Sequence, residues 1–99
     1  MTTKEDKILL LNILLKYFQD ENEIILKLVS INGLNLEHVS NKLKDDEEIV
    51  LAAVKNNGLA LKYASNRLKD NEEIVSAAIK NKNDALEYAS NRLKNNNNI

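Results

Sequence analysis

Apolar and polar positions along this chain recur with a spacing of 25 residues. The run Glu47-Glu48-Ile49-Val50-Leu51-Ala52-Ala53-Val54-Lys55 returns as Glu72-Glu73-Ile74-Val75-Ser76-Ala77-Ala78-Ile79-Lys80, and a fainter copy runs from Gln19 to Ser30. Self-similarity at a fixed period marks an array of stacked units, none of which buries its apolar side alone. Within each unit Ile49, Ala52 and Ala53, like Ile74, Ala77 and Ala78, fall at i, i+3 and i+4 on one helical face. The first copy has Lys27 and Leu28 where the later ones have paired alanines. A terminal repeat commonly packs differently.

The punctuation predicts two helices per unit. Asp20, Asp45 and Asp70, each followed three residues on by Glu23, Glu48 and Glu73, are expected to cap the first helix of each pair, with the acids opposing the positive end of its dipole. That helix should end near Asn32, Asn57 and Lys82. There Gly33, Gly58 and Asn83 recur, residue types that tolerate the positive φ of a helix terminus. The second helices are expected over 34–44, 59–69 and 84–94, burying the stripes Leu36/Val39/Leu43, Leu61/Ala64/Leu68 and Leu86/Ala89/Leu93.

Thr3 and Asp6 have capping-box spacing and should start a first helix reaching about Phe18. Ile8, Leu11, Leu14, Leu15 and Phe18 form its apolar stripe, but Leu9, Leu10 and Ile13 make it apolar on most sides. The expectation is a helix clamped between neighbours. The alternative is a partner-binding face, and exposure of Leu9, Leu10 and Ile13 would then predict a dimer. The fold expected is therefore all-α: a short α-solenoid of tandem 25-residue two-helix repeats with about seven helices. It divides into an N-terminal capping helix over 1–19, the array over 20–94 and a frayed or truncated tail over 95–99.

Composition narrows the picture further. The 99 residues suit one small domain. Proline is absent, only two glycines occur, and the chain has no cysteine, which excludes disulfides and thiolate metal sites. The net charge of −1 gives no bulk pull toward nucleic acid or anionic membrane. The first 50 residues carry 6 basic and 10 acidic groups, the rest 8 and 5, an asymmetry that permits head-to-tail association. The apolar run Ile8–Leu15 follows Glu5 and Asp6, contains Asn12 and is too short to span a bilayer. The expected setting is cytoplasmic, without a membrane.

Leu59-Ala60-Leu61-Lys62-Tyr63-Ala64-Ser65-Asn66-Arg67-Leu68-Lys69-Asp70, leading into Glu73-Ile74-Val75 and Ala77-Ala78, resembles the DUF4116 family of tandem helical repeats, a domain of unknown function. The resemblance covers about 33–94 and, more weakly, 20–32. It implies an α-helical binding module and brings no catalytic residue or ligand with it. His38 and Val39 depart from the family's Tyr-Ala, and Asn95 stands where the pattern has an acid.

Little chemistry competes with that reading. His38 is the single histidine, with no cysteine and only Glu37 beside it, so it reads as the register counterpart of Tyr63 and Tyr88 rather than a metal ligand. The acidic runs at 20–23 and 45–48 lack the alternating ligands and glycine of a calcium loop. Ser40, Ser65 and Ser90 are in-register serines without a base. No enzyme, metal or cofactor is expected. The candidate surface is a ladder continuing from Ile13: His38, Tyr63 and Tyr88, flanked by Lys42, Arg67 and Arg92 and by Asn41, Asn66 and Asn91.

Of these, His38, Lys42, Tyr63, Asn66, Arg67, Tyr88, Asn91 and Arg92 are the expected partner-binding residues of a non-catalytic protein-interaction module, an adaptor or small inhibitor. Single-stranded nucleic acid stacked on the same ladder is one alternative. Self-assembly is another, and the chain is expected to be a monomer or weak homo-oligomer.

Overall fold

The computed structural model describes residues 3–18 and 21–95. These are helical throughout apart from short connections, and no strand occurs among them. The α-helices are α1 Lys4–Tyr17, α2 Asn22–Ile31, α3 Asn41–Lys44, α4 Glu47–Asn56, α5 Asn66–Lys69, α6 Glu72–Asn81 and α7 Asn91–Lys94. Between them lie three 3₁₀ helices, Gly33–His38, Gly58–Tyr63 and Asn83–Tyr88. The long helices α2, α4 and α6 pack side by side in chain order, the 3₁₀ helices do the same, and the core lies between the two layers. The result is elongated, 50 × 24 × 16 Å.

The all-α expectation holds, and the same register positions turn inward copy after copy. Ile25, Val50 and Val75 are fully buried, as are Leu43, Leu68 and Leu93. Leu36 and Leu61 are fully buried too, while Leu86, their counterpart in the last unit and expected in the buried stripe, is 37% exposed.

Four local expectations need correction. Each second helix is broken in two, a 3₁₀ helix and a one-turn α-helix, rather than continuous over 34–44, 59–69 and 84–94. Val39, Ala64 and Ala89 take extended backbone, and the following Ser40, Ser65 and Ser90 each accept a hydrogen bond from an amide three residues on, 3.3 Å from Leu43, Leu68 and Leu93. A serine that can cap offers the backbone an alternative to continuing the helix.

The caps of α4 and α6 are Asp46 and Asn71, which accept from Ile49 and Ile74 at 3.1 and 3.0 Å, not Asp45 and Asp70. The latter pair is engaged elsewhere, as described below. Asp20 and the tail over 96–99 lie outside the described residues; the first described residue before α2, Glu21, makes no side-chain capping bond.

Gly33 and Gly58 do not have positive φ. A Cβ at Gly33 would sit 2.2 Å from the carbonyl oxygen of Ala53, and one at Gly58 2.2 Å from that of Ala78. Glycine is needed because the next repeat's long helix comes too close for any side chain. Asn83, in the same register, is exposed and keeps its side chain.

The first helix forms where its capping box predicts, with Thr3 and Asp6 bonded reciprocally at 3.0 and 3.2 Å. It is not clamped between neighbours. Leu15 is buried and Leu11 and Leu14 half-buried, but Leu9, Leu10 and Ile13 are 58, 55 and 43% exposed. Only one side of α1 meets the array.

Candidate interaction surface

The repeats are tied by two kinds of polar link that recur at the period. The first surrounds Asp45. Its Oδ1 accepts from Ser65 Oγ at 2.6 Å and from Arg67 Nε at 2.9 Å, while Arg67 also donates to the Asp45 carbonyl at 2.7 Å and to Glu47 at 3.3 Å. One repeat later Asp70 receives Ser90 and Arg92 at 2.6 and 2.9 Å. Hydrogen bonds from the serines, then from the arginines, hold both carboxyls below the usual aspartate range. Main-chain bonds from Ser65 to Lys44 and from Ser90 to Lys69 run beside these clamps.

The second link uses an asparagine at the end of α4 and of α6. Asn56 Oδ1 accepts the Gly33 amide at 2.7 Å, and Asn81 Oδ1 accepts that of Gly58 at 2.7 Å. Each amide nitrogen then donates back across the same boundary, Asn56 to Ser30 and Asn81 to Lys55, both at 3.1 Å. The register counterpart in α2 is Ile31, which is 68% exposed.

Against this framework the expected site residues separate into two groups. His38, Tyr63 and Tyr88 each end a 3₁₀ helix, and these helices stack, so the three side chains form successive rungs of one ridge. His38 is exposed and shares a shallow groove with Asn12, Leu15 and Lys16 of α1. Tyr63 and Tyr88 are half-buried, their rings packed against the core edge. Lys62 joins them, with Nζ 5.0 Å from the Tyr63 ring centre and 6.0 Å from that of Tyr88. Its ammonium is held above the usual lysine range, chiefly by its hydrogen bond with Tyr63.

Arg67 and Arg92 form the second group, since their guanidiniums are engaged in the clamps although the side chains remain 57% exposed. Lys42, Asn66 and Asn91 are exposed at the starts of the one-turn helices α3, α5 and α7. Lys42 occupies the clamp position of Arg67, but its register acid, Asp20, lies outside the described residues. Sequence reasoning singled out these arginines without their acids. The signal was there: Asp45 stands 20 and 22 residues before Ser65 and Arg67, and Asp70 stands likewise before Ser90 and Arg92.

Among the described residues no three His, Asp or Glu side chains gather as a metal would require, and no buried side-chain polar atom lacks a partner. An open groove of about 690 Å³ runs beside Lys55, Ser76, Ala77, Ile79, Lys80 and Asn81 without a convergent set of acid, base or nucleophile. No helix among the described residues is long and apolar enough to cross a membrane.

The model of the domain of unknown function DUF4116 matches residues 22–69 and again 46–94. The chain belongs to the DUF4116 family. Two overlapping matches suit a tandem architecture, and the clamps give a physical reason for the Tyr-Ala-Ser-Asn-Arg-Leu-Lys-Asp block that carried the resemblance. In this DUF4116 chain Ser65 caps α5 and bonds Asp45, Arg67 grips the same acid, and Asp70 receives the next repeat. Asn95 stands in the position of Asp45 and Asp70 in the last described unit. No curated protein and no solved structure matches the chain.

Proposed function

We propose that the chain is a non-catalytic protein-interaction module that holds a partner segment along the ridge of His38, Tyr63 and Tyr88, with Lys42, Asn66 and Asn91 beside it. The observation that carries this reading is the pairing of Tyr63 and Tyr88 across a repeat boundary with Lys62 lying over both rings. Rings already fixed by packing lose little freedom when a partner covers them, which makes tyrosine an efficient anchor. Lys62 adds a charge that an acidic residue of the partner would meet, while Arg67 and Arg92 border the ridge and hold it straight. The cysteine-free composition suits a reducing compartment, and the proposed setting is the cytoplasm.

The test compares proteins captured from the native cell by the wild-type chain and by a Tyr63→Ala/Tyr88→Ala variant. A partner recovered with the first and lost with the second, at unchanged helical content, supports the ridge. Equal recovery by both removes it. If the ridge instead binds labelled single-stranded RNA with affinity that falls steeply as salt rises, the partner is nucleic acid and the protein-binding reading fails.

A further inference from the structure

No described element covers the outer face of α1, where Lys16 Nζ lies 5.9 Å from the Tyr17 ring centre. Leu11, Leu14 and Leu15 turn toward the array, and on the opposite side of the helix Leu9, Leu10, Ile13 and Tyr17 are 58, 55, 43 and 71% exposed. These positions, at i, i+1, i+4 and i+8, make one continuous stripe. The stripe leaves on the order of 400 Å² of largely apolar surface in water, within the range of the largest patch on a typical monomer and about half of the area one partner contributes to a standard interface.

Charge decides what covers it. Acidic Glu5 and Asp6 occupy the first turn of α1 and Lys16 the last. By helical geometry Glu5 and Lys16, eleven residues or about three turns apart, lie on the same flank of the stripe. When two copies of one helix pack antiparallel, equal flanks face each other; in a parallel pair they do not. A second copy turned end for end therefore brings Glu5 of each helix to Lys16 of the other, and sets the two dipoles in opposition. A lipid surface fits less well, because the helix alternates Lys4 and Lys7 with Glu5 and Asp6 rather than presenting a basic face.

We propose that a second copy of this chain covers α1, the two helices pairing antiparallel through Leu9, Leu10, Ile13 and Tyr17 with Glu5 set against Lys16. The dimer leaves Tyr63 and Tyr88 uncovered, and its test does not depend on the function proposed above. It joins two arrays at their N-terminal ends, giving each assembly two copies of that ridge.

Sedimentation equilibrium of the whole chain, from micromolar to submillimolar concentration, reads the mass directly. The expected result is a rise from 11.2 kDa toward twice that value. Leu9→Glu/Ile13→Glu should weaken association by about tenfold or more with the helical signal unchanged, and the milder Leu9→Gln/Ile13→Gln should act in the same direction. Glu5→Lys should weaken it and Glu5→Lys/Lys16→Glu restore it, which only the antiparallel pair predicts. A mass that never leaves 11.2 kDa overturns the proposal. So does a dimer indifferent to changes at Leu9 and Ile13, or one in which the double charge exchange restores nothing.

Discussion

Helix α1 and helix α4 differ in length by four residues and are both rich in apolar residues, leucine and isoleucine in α1 and mainly valine and alanine in α4, yet they live in different surroundings. Ile49, Val50, Ala53 and Val54 of α4 are all buried, since α2 lies on one side, α6 on the other and two 3₁₀ helices beneath. Of α1 only Leu15 is buried. The comparison teaches that apolar content does not make a helix part of a core. What does is a neighbour on each side, and α1 meets the array along one edge only.

The difference can be broken most forcefully by equal truncations in the core of the array and on α1. Leu61→Ala empties a fully buried site and should destabilise the fold by about 3 kcal/mol, within the range for a leucine lost from a core. Leu10→Ala on the outer face of α1 should change the stability of the dilute monomer by no more than about 0.5 kcal/mol. Chemical denaturation followed by circular dichroism measures both. Similar losses would erase the distinction.

A second contrast lies inside the array. Gly58→Ala pushes a methyl group to 2.2 Å from the Ala78 carbonyl and must separate the second 3₁₀ helix from α6, at a cost of about 2 kcal/mol or more. Asn83→Ala in the same register should be neutral to within about 0.5 kcal/mol in the same assay. Asn81→Ala comes next. It leaves the Gly58 amide and the Lys55 carbonyl without their partner and should cost about 1 kcal/mol.

Much of this was legible in the sequence, for an identifiable reason. The inward positions recur because stacking repeats the same environment, so Ile49, Ala53, Leu61 and Leu68 could be assigned from spacing alone. The Thr3 capping box was legible because it is local. What escaped was information held in the contact between copies. Gly58 looked like a turn residue because its constraint, the Ala78 carbonyl, lies 20 residues away. Asp45 looked like a helix cap because Asp46, one position on, is an equally good one, and only the structure shows Arg67 and Ser65 reaching for the first.

The breaks at Ser40, Ser65 and Ser90 were missed because an unbroken apolar stripe at i, i+3 and i+7 survives the change from 3₁₀ to α. Of the ladder, the tyrosine rungs were placed together as expected, while Arg67 and Arg92 proved to be bound within the array.

The smallest effect expected is that of acid on the clamps. The carboxyls of Asp45 and Asp70 are held below their ordinary value of 3.8 in the folded chain, so their contribution is fully present above that value. It is lost as pH falls through the lower, folded value. Both pairs are well exposed and screened, so the decline should be slight. Replacing Arg67 and Arg92 by methionine should flatten the dependence of the melting temperature on pH below about 4. An unchanged slope would show that the arginines contribute nothing in acid and leave the serine hydrogen bonds as the source.

Hydrogen exchange of the backbone amides, followed by mass spectrometry at a concentration too low for association, tests directly whether mutual packing of the repeats is the source of stability. Protection should be greatest in Glu47–Asn56, flanked by a repeat on each side, and least in Lys4–Tyr17. A first helix exchanging as slowly as Glu47–Asn56, or a central helix that exchanges as fast as the first, would contradict it.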